Sequence, residues 1–360
     1  MTDRRVLFAL AVGTLVLSGG WSSASAQNQP TPEPGRTARP DRDGQQVDLR
    51  PRFVNGRLSR YEMTIVSDNR VRSDEQGISQ DQTLTQTIDL SIKTTGADDD
   101  GATLEIVYER IRATLETGDF KAVFDSRAYA PTPAGQKPAQ PKPHRAKNPG
   151  TPRPAAKSSD PEMDDLLGQI LRPMVGTRLT MRADKDGNIK SVSGGEALSG
   201  AGLAAGLAAM LGGSGIGGGA PGVGAGGASG PMNWVVNSPG QRSLVRLGET
   251  WTNRDALSGT PIGGFTMVTR HTCNSVTESR GGRTANLSFT GRADQESLGT
   301  PSATGFALKE SSYNGNYAWD LSRGELKDMT STLRTIVEGK LTNFTTRMTA
   351  ETRMSVRRLD

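Results

Sequence analysis

Reactive side chains are scarce in this sequence. One cysteine and two histidines occur in 360 residues, and the single Cys273 excludes an intramolecular disulfide. A serine triad would need one of the histidines, and no Gly-x-Ser-x-Gly elbow is present. The sequence therefore predicts no catalytic, cofactor-binding or metal-ligating residue, no cofactor, and a protein that is not an enzyme.

Aromatic residues and excess charge of one sign are also limited. Aromatics make up 5% of the chain, beside 44 glycines and 20 prolines, so a sizeable part of the chain cannot form a packed core. The formal net charge is only +5, and no basic stripe interleaved with aromatics occurs. This pattern predicts that nucleic acid is not a partner.

The N-terminus has the pattern of a cleavable signal peptide. The basic residues Arg4 and Arg5 precede an apolar run over 6–17, and the small residues Ala24-Ser25-Ala26 follow. The apolar run, about a dozen residues, is too short to span a bilayer. We therefore expect residues 1–26 to be a signal peptide, the protein to be periplasmic or secreted, and the mature chain to lack a transmembrane segment.

Three segments have compositions typical of disorder. Residues 27–54 are rich in Pro, Arg and Gln, residues 129–158 form a basic Pro-rich insert, and residues 212–230 are nearly all Gly, Ala and Ser. The remainder, 55–357, is predicted to be a single β-rich domain that the two inserts interrupt. A soft helix is expected over 196–211, leading into the Gly-rich insert.

The ordered part of the chain alternates with period two, which is the signal of strands with one wet face. The register shifts near Glu109–Arg110, which predicts a β-bulge, and a turn is expected at Gly339-Lys340. An amphipathic helix is expected over 160–172. The fold class is therefore mainly β: about twelve antiparallel strands as a curved sheet, open barrel or sandwich, with one or two short helices. The clearest alternating face comprises Phe344, Thr346, Met348, Ala350, Thr352, Met354 and Val356.

A few residues can be interpreted either as chemically active or as ordinary core and turn residues. His271 and Cys273 share a strand face, either as a nucleophile pair or as inward-facing core residues, and the core interpretation is favoured. The runs 98–101 and 184–188 resemble cation loops but have the composition of hairpin turns. The Gly217-x-Gly219-x-x-Gly222 run follows no strand and opens no helix, so it predicts no dinucleotide site.

Short motifs resemble a family of uncharacterised exported bacterial β-rich proteins, a domain of unknown function. They are the strand Tyr61-x-Met63-x-Ile65, the run Val175-Gly176-Thr177 before a hairpin, and Leu247-Gly248-Glu249-Thr250-Trp251. The resemblance covers roughly 55–127 and 160–357. It implies a β-rich exported protein, and because the family has no assigned activity, it implies no functional residue.

Several functions stay open from the sequence. One is a non-catalytic binding or scaffold protein of the cell envelope, with an envelope polymer as partner. Another is a carrier of a lipid or other apolar ligand in a β half-barrel that the helix over 160–172 helps to close. A third is an enzyme of unrecognised type. The ligand-binding residues are unknown at this stage.

The signal-peptide pattern predicts cleavage after Ala26, which gives a mature chain that starts at Gln27. N-terminal sequencing of the protein recovered from the exporting host checks this. A mature fraction that still carries Met1 would contradict the predicted localisation.

Overall fold

The computed structural model describes residues 44, 46–118, 120–129, 161–194, 242–257, 265–294, 306–341 and 344–359. The predicted signal peptide, the helix expected over 196–211 and the Gly-rich insert lie outside the described residues. The Pro-rich insert does too, except for Tyr129.

Fourteen strands and one α-helix make up the described residues. The helix, α1, spans Pro161–Leu171, and short 3-10 turns occur at Asp74–Gln76, Ser126–Tyr129 and Arg172–Met174. The strands are β1 (Gln46–Asp48), β2 (Leu58–Ser73), β3 (Ile78–Asp98), β4 (Gly101–Thr117), β5 (Phe120–Asp125), β6 (Arg178–Asp184), β7 (Ile189–Ser193), β8 (Leu244–Arg246), β9 (Thr250–Leu257), β10 (Phe265–Ser279), β11 (Gly282–Asp294), β12 (Phe306–Asp320), β13 (Glu325–Leu341) and β14 (Phe344–Arg358).

Twelve of these strands form one open antiparallel sheet. Its order is β7-β6-β4-β3-β2-β14-β13-β12-β11-β10-β9. Strand β5 pairs with the same edge of β4 as β6 does, further along β4. Strands β1 and β8 pair separately as a two-stranded ribbon. The predicted mainly β class is confirmed. Among the predicted architectures, the twelve strands have that of a single open sheet.

Period-two alternation gives the sheet two different faces. On β2, Tyr61 and Met63 are buried on the inner face, while Glu62 lies between them on the outer face. Glu62 is one of two carboxylates that bind the Arg112 guanidinium on the outer face, at 3.3 Å, and Asp89 is the other, at 3.2 Å. The inner face is therefore the side on which the core forms.

Local features predicted from the sequence occur where the pattern placed them, with one exception. Glu109 is the extra residue of a bulge, because Tyr108 and Arg110 pair with the consecutive residues Leu90 and Asp89. Gly339 and Lys340 do not form the turn expected there, because both residues still pair with β14. No helix in the described part of the chain has the length and apolarity to cross a membrane.

Helix α1 packs against β5, as its amphipathic pattern predicts. Leu167 and Leu171 are buried in the core. Asp164, in the first turn, accepts a hydrogen bond at 2.6 Å from the backbone N–H of Val123. The helix and the turn after it connect β5 to β6, the two strands that share one edge of β4.

The expectation that the whole of 27–54 is disordered is wrong for its last part. Strand β1 pairs with β8, Val47 is buried, and Leu49 is fully buried. The backbone N–H of Leu49 donates to the carbonyl of Ser243 at 2.7 Å. Two apolar residues in a short polar stretch give too little periodicity to reveal a strand whose partner lies about two hundred residues away.

The ribbon requires the sheet to curve. Eight inter-strand steps separate β6 from β10, about 38 Å in a flat sheet. Yet Ser243 bonds the side chain of Asp186 beside β6, and the backbone N–H of Gly248 bonds the carbonyl of Cys273 on β10. The chain from Ser243 to Gly248 spans at most about 18 Å. The two margins of the sheet therefore approach each other, with the inner face inside the curve.

An ion-pair cluster fixes the same end of the sheet. The guanidinium of Arg358 contacts Asp320 at 2.8 Å and Glu325 at 3.3 Å, and both it and Asp320 are more than nine-tenths buried. Arg57 also contacts Glu325, at 3.0 Å. We call this end, with its ribbon and cluster, the ribbon end. The opposite end, where Gly118 forms the β4–β5 turn, is the far end.

Leu49→Ala is expected to destabilise the protein by about 2–5 kcal/mol, because it leaves a cavity under the ribbon. Leu244→Ala, in the same ribbon, should change the free energy of unfolding by less than about 0.5 kcal/mol, since Leu244 is 45% exposed. Denaturant unfolding of both variants checks this. Equal effects would mean that the ribbon does not belong to the core.

Candidate functional site

The inner face of the central strands changes in polarity along their length. Towards the ribbon end it is apolar and closely packed. Towards the far end, Ser67 and Asn69 continue the inward series of β2, and Gln82 takes the inward position opposite Asn69 on β3. The apolar set comprises Tyr61, Met63, Ile88, Leu90, Met329 and Val356, all buried.

Amides and hydroxyls are gathered at the far end of this face. Asn69 and Gln82 are directly opposed across β2 and β3, and Gln82 is in turn opposed by Thr117 of β4. Thr346 on β14 and Ser73 on β2 lie further towards the far end. Asn69 is 5% exposed, Gln82 6%, Ser73 2% and Thr346 4%. We call Asn69, Ser73, Gln80, Gln82 and Thr346 the polar patch.

Every member of the polar patch has a buried polar atom without a hydrogen-bond partner. These atoms are Asn69 Oδ1, Ser73 Oγ, Gln80 Oε1, Gln82 Nε2 and Thr346 Oγ1. They are five of the seven such side-chain atoms in the described residues. A buried polar group without a partner costs about 1–3 kcal/mol, and native proteins contain few of them. Their concentration on one face marks a candidate site for hydrogen bonds with another molecule.

The inner face around the polar patch is uncharged. Along the described inward positions of β2, β3, β13 and β14, the charged side chains are Arg358 and its partner Glu325, and both are held in the cluster at the ribbon end. An ionised ligand group buried near Asn69 would therefore lack an opposite charge on the inner face of these strands. Burying an unpaired charge is strongly unfavourable. The face is suited to a neutral ligand.

Apolar side chains beside the polar patch are only partly buried. Leu333 of β13 and Met354 of β14 border the main core, whereas Met348 and Leu308 pack around the buried Val337 in a second, smaller cluster. The inner positions between them carry small residues such as Ala350. The middle of the face thus retains partly accessible apolar surface next to unpartnered polar atoms.

His271 lies on the inner face of β10, in an aromatic cluster. It stacks on Trp251 at 5.5 Å and on Tyr317 at 6.0 Å between ring centroids. Its Nδ1 lies 2.9 Å from the Tyr317 hydroxyl and its Nε2 3.0 Å from Thr269 Oγ1. Burial lowers the pKa of His271 to about 4. The ring is neutral at pH 7, and both of its nitrogens are engaged in the core.

Cys273 is fully buried on the same face. Burial, together with the charge of Glu249, raises the pKa of its thiol. An activated nucleophile would need the opposite shift, and the ring nitrogens of His271 hydrogen-bond to Thr269 and Tyr317. The geometry therefore agrees with the interpretation of both residues as core.

The two acidic runs form turns between strands. Asp184 accepts hydrogen bonds from the backbone N–H groups of Asp186 and Asn188, at 3.0 and 2.8 Å, and contacts Lys190 at 2.9 Å. Asp98 accepts from the backbone N–H of Asp100 in the β3–β4 turn. Within the described ranges, no group of three or more His, Cys, Asp or Glu has the arrangement of a metal site. The Gly217 run and the basic insert lie outside those ranges.

Sequence reasoning did not find the polar patch. Asn69 and Gln82 stand at inward positions of two strands whose apolar residues define the register, so counting along each strand from Met63 and Ile88 would have placed both amides inside. Their opposition across the sheet could not be read from either strand alone, because it depends on the pairing register.

No family model matches the chain, and no curated protein matches it. The family that the short motifs resemble is therefore not identified, and what the structure shows of that prediction is the β-rich fold. Lipovitellin, in a structure of its lipid–protein interactions, aligns with a TM-score of 0.37 and 12% identity, over 86% of this chain and 26% of lipovitellin. DynF of the dynemicin biosynthesis pathway of Micromonospora chersina aligns with a TM-score of 0.17 and 6% identity, over 94% of this chain and 95% of DynF.

The buried His271 predicts a pH dependence of stability. Its pKa is about 4 in the folded protein against 6.5 when exposed, so below pH 6.5 the unfolded chain takes up a proton that the folded protein does not. The free energy of unfolding should therefore fall by roughly 2 kcal/mol between pH 7 and pH 5 on account of this residue. Urea unfolding of the parent and of His271→Phe at both pH values measures it. The variant should lose that part of the slope, and parallel slopes would contradict a buried neutral ring.

Proposed function

We propose that this protein is an exported, non-catalytic carrier that binds an amphipathic ligand on the inner face of its curved sheet. The observation that carries the proposal is the polar patch beside partly buried apolar side chains on one face. The ligand's apolar part would lie on Leu333, Met348 and Met354, and its polar part would complete the hydrogen bonds of Asn69 and Gln82.

The composition of this face favours a carrier over a solid core. A core that exists only for stability is best made of apolar side chains in contact, and a polar network within it has to be fully satisfied. Here Asn69 and Gln82 are buried with unsatisfied atoms, and Met348 packs in a cluster separate from the main core. Such an arrangement is unfavourable for folding alone and becomes favourable once a ligand supplies the missing partners.

The export part of the proposal rests on the signal-peptide pattern of residues 1–26. An amphipathic molecule outside the cytoplasm needs a protein to shield its chain from water. The outer face suits a protein dissolved in water, since it carries ion pairs such as those of Arg112 with Glu62 and Asp89. The proposed carrier therefore has a wet outer face and a ligand-binding inner face.

Met348→Glu tests this function. In a carrier the new carboxylate lies at the edge of a ligand-accessible surface, so the protein should stay folded and lose affinity for an apolar probe. We expect a melting temperature within a few degrees of the parent and at least about tenfold weaker binding of N-phenyl-1-naphthylamine, because the charge would have to be desolvated with the probe. Circular-dichroism melts and probe fluorescence provide the two measurements.

Ser355→Glu is the matched control, because it adds the same charge to the exposed outer face of the same strand. It should leave both the melting temperature and probe binding unchanged. A collapse of the Met348→Glu melting temperature would favour the solid-core binding or scaffold protein. A parent protein that binds no apolar probe would overturn the carrier function.

A further inference from the structure

The unpartnered atoms of the polar patch define the chemistry of the group that would bind them. Asn69 Oδ1 and Gln80 Oε1 can only accept a hydrogen bond, and Gln82 Nε2 can only donate. The hydroxyls of Ser73 and Thr346 can do both. A ligand group that donates and accepts at closely spaced points would complete these hydrogen bonds.

Asn69 and Gln82 set the strictest requirement. They are directly opposed on β2 and β3, so their Cβ atoms lie about 4.5–5.5 Å apart. An acceptor on one and a donor on the other are both free of protein partners. A carboxylate can only accept and an ammonium group can only donate, whereas a hydroxyl does both. One hydroxyl can donate to Asn69 and accept from Gln82.

The lack of charged side chains on the inner face near Asn69 also favours an uncharged headgroup. The charged side chains on the described inward side of β2, β3, β13 and β14 are Arg358 and Glu325, which pair with each other at the ribbon end. A phosphate, carboxylate or ammonium headgroup at Asn69 would lose its hydration without gaining an ion pair on these strands. An uncharged headgroup avoids this loss.

We infer that the polar patch is a headgroup subsite for a neutral, hydroxyl-bearing lipid of the acylglycerol type. This inference rests on the proposed carrier function and specifies its ligand class. The glycerol hydroxyls bond Asn69, Gln82, Ser73 and Thr346, and the acyl chain runs from the polar patch along the partly buried Met348 towards Leu333 and Met354. The subsite selects the headgroup, and the apolar surface binds the chain.

The test compares two ligands with the same chain, 1-monooleoylglycerol and oleate at pH 8, on the full chain freed of lipid. Dissociation constants come from displacement of N-phenyl-1-naphthylamine. The parent should bind 1-monooleoylglycerol at least about tenfold more tightly than oleate, the difference that one or two buried hydrogen bonds make. Equal or tighter binding of oleate would overturn the neutral headgroup.

The Asn69→Leu/Gln82→Leu double variant removes the central hydrogen-bonding pair. It should reduce the affinity for 1-monooleoylglycerol about tenfold and leave the affinity for the naphthylamine probe within about twofold, because the apolar surface is intact. Its melting temperature should equal or exceed that of the parent, since two buried unsatisfied groups are gone. Unchanged glyceride binding would mean that these amides are satisfied by water or by each other, and would overturn the subsite.

Thr346→Val provides a second variant of nearly the same shape, so that the test does not depend on the double variant folding. Its control is Thr345→Val, the exposed neighbour on the opposite face of β14. Thr346→Val should weaken glyceride binding severalfold, and Thr345→Val should not. If Thr346→Val binds the glyceride more weakly but still binds the probe, the subsite is supported. A parent that binds the probe but no glyceride overturns the subsite alone, and a parent that binds neither overturns the carrier function as well.

Discussion

A twelve-stranded sheet with one apolar face has to remove that face from water, and the rest of this structure depends on how it does so. Burial of apolar surface is the main driving force for folding. Among the described elements, the eleven-residue α1 and the β1–β8 ribbon are the ones that add to the sheet. Because these are small, the sheet curves so that the inner face covers itself, and the ribbon joins its two margins.

The same constraint explains the polarity change along the strands. At the ribbon end the margins are bonded together through Ser243 and Gly248, so the space inside is small and apolar side chains fill it. Further along, small residues such as Ala350 occupy the inner positions, and amides and hydroxyls take the place of aliphatic side chains. Curvature thus yields an apolar core at one end and a buried, hydrogen-bonding surface at the other.

Much of the fold follows from local pattern, and the candidate site does not. Alternation predicted the long strands, a one-residue shift predicted the bulge at Glu109, and a helical stripe predicted α1, because each signal is contained in a short window. The ribbon was missed because β1 has three residues and pairs with β8 far along the chain. The polar patch was missed because the opposition of Asn69 and Gln82 depends on the register between strands, which one strand does not encode by itself.

Photo-crosslinking tests most directly whether the inner face of the central strands binds the ligand. A monoacylglycerol with a diazirine in its acyl chain, irradiated with the full chain and followed by peptide mass spectrometry, reports the residues that line the site. If the ligand lies on this face, labels are expected at inward positions of β2, β13 and β14, with Met348, Leu333 and Met354 foremost. Labels confined to outward positions such as Thr64 and Ser355, or spread evenly over both faces, would contradict it.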